Sequence, residues 1–96
     1  MKTVTLTRSD DETGQVPDKF IHVLESFDKE YQEGDTFRCF EVIRKDPKNT
    51  CVRFLKKPTG VDIGAAFDLC AGSFTVSLSA NWHEARQDFI AAVEML

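Results

Sequence analysis

Three cysteines and two histidines are the side chains of this sequence best suited to metal binding or nucleophilic catalysis: Cys39, Cys51, Cys70, His22 and His83. Structural zinc sites bring thiolates and imidazoles together as closely spaced pairs along the chain. These five residues are scattered and form no such pairs. The pattern therefore predicts free, mostly buried thiols in a reducing compartment, with no metal and no cofactor.

Catalysis by a cysteine and a histidine would need the two side chains to be adjacent in space. His83, at the start of a predicted helix, is the candidate base for such a pair. The sequence contains no glycine-rich phosphate loop and no G-x-S-x-G motif. A non-enzymatic role is favoured, and no catalytic residue is assigned.

The charged residues are unevenly distributed along the chain. Residues 1–35 carry four Lys or Arg and nine Asp or Glu, residues 36–60 carry seven and two, and residues 61–96 carry one and five. A basic segment of net charge +5 thus separates two acidic segments of −5 and −4. Such segregation indicates either neutralisation within the molecule or separate binding surfaces.

Two acidic clusters form the predicted binding surface for a larger basic protein: Asp10, Asp11 and Glu12 in a loop, and Glu30, Glu33 and Asp35 at the end of a predicted helix. Carboxylates at a helix C-terminus oppose the helix dipole. A break with a local rule can mark a functional site, and a negative surface attracts a basic partner.

The basic segment provides an alternative, nucleic-acid binding through hairpin 37–57, by Arg38, Arg44, Lys45, Lys48, Arg53, Lys56 and Lys57. A two-stranded basic ribbon can follow a phosphate backbone, and nearby phenylalanines can stack on bases. Against this alternative, the pI of the chain is about 5.1, far below the range typical of nucleic-acid-binding domains.

Hydrophobic periodicity predicts the elements that position these residues. Alternation predicts a strand over 3–8, and the 3.6-residue spacing of apolar residues predicts a helix that starts at Pro17 or Asp18 and is ended by Gly34. Strands are predicted over 37–45 and 50–57, around a turn at 46–49. Alternation also predicts strands over 61–69 and 73–79, although a short helix from Asp62 competes with the first.

The last helix is predicted to begin at Asn81, with Glu84 completing a capping box. For the hairpin formed by strands 37–45 and 50–57, one possible register pairs Glu41 with Arg53, Phe40 with Phe54 and Val42 with Val52. Both faces of this hairpin carry apolar residues. That pattern predicts a central position in the sheet or a face covered by a partner.

Together these elements predict a single α+β domain over residues 1–96, in the order β-α-β-β-β-β-α. Its antiparallel sheet has four to five strands, and two helices pack on one face. No uncharged run is long enough to span a membrane, and a cytoplasmic location is expected. The predicted function is that of a small acidic interaction module, an inhibitor of phage or microbial origin. A homodimer formed through an edge strand such as 3–8 is a further alternative.

Overall fold

The computed structural model describes residues 2–7, 16–46, 49–57, 59–68 and 73–96. This part of the chain forms six strands and two helices, whose bounds are β1 (Lys2–Thr7), α1 (Asp18–Glu30), β2 (Thr36–Phe37), β3 (Phe40–Asp46), β4 (Asn49–Phe54), β5 (Val61–Asp68), β6 (Ser73–Leu78) and α2 (Trp82–Glu94). All strand pairs are antiparallel, in the spatial order β1-β6-β5-β4-β3-β2. The predicted α+β fold is confirmed, with the two-residue strand β2 in addition to the five longer strands.

Both helices pack on the same face of the sheet, because each presents an apolar stripe to it. The core contains side chains of α1, α2 and the strands β3 to β6. Its centre is a group of aromatic rings around Phe89, whose ring centroid lies 4.7 Å from Trp82, 4.8 Å from Phe20 and 5.7 Å from Phe54. Of the eight phenylalanines in the sequence, five in the described part of the chain are buried, Phe20, Phe27, Phe40, Phe54 and Phe89, which suits a side chain that has no polar atom to satisfy.

The register of β3 and β4 includes a β-bulge at Ile43. Phe40, Glu41 and Val42 pair with Phe54, Arg53 and Val52, the register that the sequence left as one possibility. The pairing then shifts, so that Arg44 lies opposite Cys51 and Lys45 opposite Thr50. An inserted residue reverses which face the following side chains point to. The bulge therefore places Arg44 on the face without helices and Lys45 on the helix side.

Helix α1 ends at Glu30, so the prediction that Gly34 ends it is wrong. Lys45 stabilises the helix end at this position: its Nζ donates hydrogen bonds to the backbone carbonyls of Phe27 at 3.2 Å and Tyr31 at 2.6 Å. The helix dipole favours a cation at this terminus. That cation comes from β3, which local sequence rules could not show.

The predicted capping box of α2 is also wrong, because Asn81 makes no side-chain hydrogen bond to the helix backbone. Its Oδ1 instead accepts a hydrogen bond from Ser79 Oγ at 2.8 Å, and its Nδ2 donates one to the carbonyl of Thr59 at 3.3 Å. Ser79 Oγ also accepts the backbone N–H of Asp62 at 3.2 Å. Asn81 thus joins the two loops at this end of the sheet.

The segment that follows Gly60 is a strand, as preferred on the alternation of its side chains, and the competing helix from Asp62 does not form. Val61, Ile63 and Ala65 are buried against the helices, whereas Asp62 and Gly64 lie on the opposite face. Leu69 and Cys70 lie outside the described residues.

Candidate functional site

The face of the sheet opposite the helices carries a cleft of about 680 Å³. We call it the open-face cleft. Its lining comes from β3, β4, β5 and the segment before β2, and consists of Glu33, Gly34, Glu41, Val42, Ile43, Arg44, Cys51, Arg53 and Asp62. Polar and charged residues predominate, as expected of a surface that is not part of the core.

Among the described residues, the two cationic ones that line the open-face cleft, Arg44 and Arg53, are both paired with neighbouring carboxylates. Arg53 donates two hydrogen bonds to Asp62, from Nε at 2.9 Å and from a terminal guanidinium nitrogen at 3.4 Å. The hydrogen bond to Asp62, together with the charge of that carboxylate, raises the pKa of Arg53. The Nε of Arg44 lies 3.5 Å from a carboxylate oxygen of Asp46. Both pairs reach solvent, so screening keeps their contribution to stability small, and their main effect is to fix the positions of the charges.

Glu33 and Glu41 are the remaining acids of the cleft. Neither makes an ion pair with a residue in the described part of the chain. Glu41 lies opposite Arg53 in the register, but Arg53 donates its hydrogen bonds to Asp62. The cleft therefore presents two carboxylates that are available to an external cation.

The backbone fixes the position of Glu33 beside β3. The N–H of Gly34 donates to the carbonyl of Val42 at 2.7 Å, and the N–H of Val42 donates to the carbonyl of Asp35 at 2.8 Å. Gly34 adopts a φ of +93°, a conformation that favours glycine. The Asp35 carboxylate accepts the N–H of Gln32 at 2.8 Å, which closes the turn on its other side.

The structure separates the second predicted acidic cluster into three locations. Glu33 lines the open-face cleft, Glu30 lines a different groove beside α1, and the Asp35 side chain is occupied within its own turn. The first predicted cluster, Asp10, Asp11 and Glu12, lies outside the described residues. Glu33 is thus the member of the second cluster that the cleft contains.

The predicted basic hairpin is divided in a similar way. Lys45 binds the end of α1, while Arg44 and Arg53 pair with carboxylates. The guanidinium carbon of Arg38 lies 5.7 Å from the centroid of the Phe37 ring. Lys56 and Lys57 are exposed in the loop after β4, and Lys48 lies outside the described residues.

Sequence reasoning did not assign Glu41 or Asp62 to a site. Both lie in the same cross-strand row as Arg53, and a correct register for β3, β4 and β5 would have placed all three on one face. The register considered from the sequence already pairs Glu41 with Arg53, so the missing signal was the pairing of β4 with β5, which places Asp62 opposite Arg53.

The cysteines and histidines are not brought together within the described part of the chain. Cys39 and Cys51 are free thiols, and Cys39 lies beside Leu55, about 13 Å along the strand from Cys51 at 3.3 Å per residue. His22 and His83 are exposed residues on the helices, and neither lines the open-face cleft. Among the described residues, no group of three potential metal ligands was found.

We expect Cys51 to be unreactive at neutral pH although it lines the cleft. Burial raises the pKa of its thiol, and the charge of Asp62 adds to that effect, so the reactive thiolate is scarce. Alkylation by iodoacetamide near pH 8, followed by mass spectrometry, should be about tenfold slower in the folded protein than in denaturing urea. Equal rates under the two conditions would contradict this expectation.

Comparisons with protein-family models, curated proteins and solved structures found no match. Within the described residues, neither helix has the length and apolar character needed to cross a membrane.

Proposed function

We propose that this protein is a small non-enzymatic interaction module that binds a larger basic protein through the open-face cleft. The observation that carries the proposal is the presence of Glu33 and Glu41 at one cleft without ion-pair partners among the described residues. Unpaired carboxylates attract cationic surfaces and accelerate encounter with them.

The arrangement of the cleft favours a protein partner. The Arg53–Asp62 pair and the Arg44–Asp46 pair fix charges of both signs beside the two glutamates. Mixed charges at fixed positions select a partner of complementary pattern and repel others. Blocking a functional basic surface in this way would make the module an inhibitor, in a phage or microbial setting.

Nucleic-acid binding by hairpin 37–57 has less support. Lys45 is used within the fold, and both arginines of the central hairpin strands are paired with carboxylates. Glu33 and Glu41 would in addition repel a phosphate backbone that crossed the open face.

Removing the two unpaired charges tests the proposal. The variant Glu33→Gln/Glu41→Gln should bind its partner about 2- to 30-fold more weakly, since an exposed ion pair contributes about 0.2–1 kcal/mol. The measurement is quantitative affinity capture from the native host at several salt concentrations, followed by mass spectrometry.

A matched control has the same change in net charge on the other side of the molecule. Glu84→Gln/Asp88→Asn alters two exposed acids of α2, which lie away from the cleft. The control should capture basic proteins as well as the unaltered chain does, and the cleft variant should capture less of them. Capture that is equal for both variants, or that recovers chiefly acidic proteins, would show that the cleft is not the binding surface.

A further inference from the structure

A second cavity lies on the helix side of the β2 edge, where α1 meets β2. This aromatic groove, about 210 Å³ in volume, is lined by Val23, Ser26, Phe27, Glu30, Tyr31 and Phe37. The ring centroids of Tyr31 and Phe37 are 6.0 Å apart, and the Phe27 ring lies 4.9 Å from Tyr31 and 6.1 Å from Phe37. Phe27 is buried, whereas Tyr31 and Phe37 are half-buried, so two rings remain partly available to a ligand.

The walls of the aromatic groove have the chemistry of a cation site. Aromatic faces carry a negative quadrupole that attracts a guanidinium, and Glu30 adds a full negative charge. The guanidinium carbon of Arg38, the next residue in the chain, lies 5.7 Å from the Phe37 ring centroid, which is within cation–π range. The groove is smaller than the roughly 300–1,000 Å³ pockets that hold small molecules, and it matches a single long side chain.

We infer that the aromatic groove receives one arginine side chain of the basic partner. This inference takes from the proposed function that the partner is a basic protein, but it concerns the aromatic groove and not the open-face cleft. The planar guanidinium can stack on an aromatic ring while it donates hydrogen bonds to the Glu30 carboxylate, which the compact ammonium of lysine does less well. An apolar side chain would gain nothing from the negative charge of Glu30.

The groove and the cleft lie on opposite sides of the same edge. Glu30 belongs to the groove and Glu33 to the cleft, and the segment directly after Glu33 is hydrogen-bonded to β3 through Gly34. A basic segment that crosses this edge would place one arginine against the rings and other cations against Glu33 and Glu41.

The test uses NMR titration of the full chain with three capped pentapeptides of glycine and serine. Their central residue is arginine, its neutral isostere citrulline, or leucine. The arginine peptide should shift the amide signals of Val23, Glu30, Tyr31 and Phe37, and bind about two- to fivefold more tightly than the citrulline peptide. Equal binding of the citrulline or leucine peptide, or no shift at these residues, would overturn the inference.

Three variants and one control locate the binding. Glu30→Gln and Phe37→Leu should each weaken the arginine peptide about two- to fivefold, since each removes one attraction to the guanidinium. Asp88→Asn on α2 is the control and should bind like the unaltered chain. Arg38→Asn removes the competing cation, and asparagine tolerates the φ of +55° at this position, so binding should strengthen. Weakening by Asp88→Asn equal to that of Glu30→Gln would reveal a non-specific charge effect and overturn the inference.

The peptide titration and the capture experiment fail independently. If the arginine peptide does not bind but basic proteins are still captured, the inference about the groove is disproved and the proposed role of the cleft stands. If the arginine peptide binds and capture is unchanged by Glu33→Gln/Glu41→Gln, the proposed role of the cleft is disproved and the arginine site in the groove is supported.

Discussion

Replacing Phe89 with alanine should lower the free energy of unfolding by about 3–5 kcal/mol. Phe89 is fully buried, and its ring lies within 6.0 Å of the centroids of Phe20, Phe40, Phe54 and Trp82. Those partners come from both helices, β3 and β4, so collapse around the missing ring would require all of these elements to move. Because small domains are stable by only about 5–15 kcal/mol, the variant should lose a large share of its stability and unfold at a much lower urea concentration.

Urea denaturation followed by circular dichroism measures this loss. Gln87→Ala is the control, since it alters an exposed side chain of the same helix and should change stability by less than about 0.5 kcal/mol. Phe89→Leu keeps most of the volume and should fall between the two. A loss below about 1.5 kcal/mol for Phe89→Ala would mean that the aromatic cluster is not the centre of the core.

Replacing Lys45 with methionine should lower the free energy of unfolding by about 2–3 kcal/mol, because hydrogen bonds to a charged donor contribute about 1.5–3 kcal/mol. Methionine keeps the length of the side chain but cannot donate to the carbonyls of Phe27 and Tyr31. The last turn of α1 should then fray. Hydrogen exchange at the Tyr31 amide, which donates to the carbonyl of Phe27 at 3.2 Å, should accelerate.

The control for Lys45 is Lys56→Met, which removes the same charge from an exposed loop. Its effect on stability should stay within about 0.5 kcal/mol. If the two lysine variants were equally stable, the ammonium at the end of α1 would contribute nothing beyond its charge.

The sequence predicts most of the secondary structure because periodicity is strong in both helices and in the strands. Phe20, Leu24 and Phe27 are all buried on one side of α1, as their spacing indicates. Val61, Ile63 and Ala65 are likewise buried on one side of β5. In each case the spacing of apolar residues along the chain and the tertiary packing place the same side chains in the core.

The predictions of local structure fail where a contact with a residue distant in sequence determines where a helix begins or ends or which face a side chain points to. The end of α1 depends on Lys45, and the start of α2 depends on Asn81 being engaged by Ser79 and Thr59 instead of by the helix backbone. The bulge at Ile43 is a third case, since alternation alone places Arg44 and Lys45 on the wrong faces.

The candidate site was predicted only in part for the same reason. Proximity along the chain suggested that Glu30, Glu33 and Asp35 form one surface, but the edge of the sheet passes between them. Glu33 and Glu41 share the cleft through pairing of the intervening segment with β3. That contact depends on tertiary structure, which no local motif encodes.

The pairing of β1 with β6 has a consequence for biosynthesis. Residues 2–7 lie against residues 73–78, so β1 has no strand to pair with until β6 has left the ribosome. During that interval β1 is an unpaired strand that can associate with another nascent chain. Such long-range closure slows folding, and the last step of folding should be the docking of β1 onto β6.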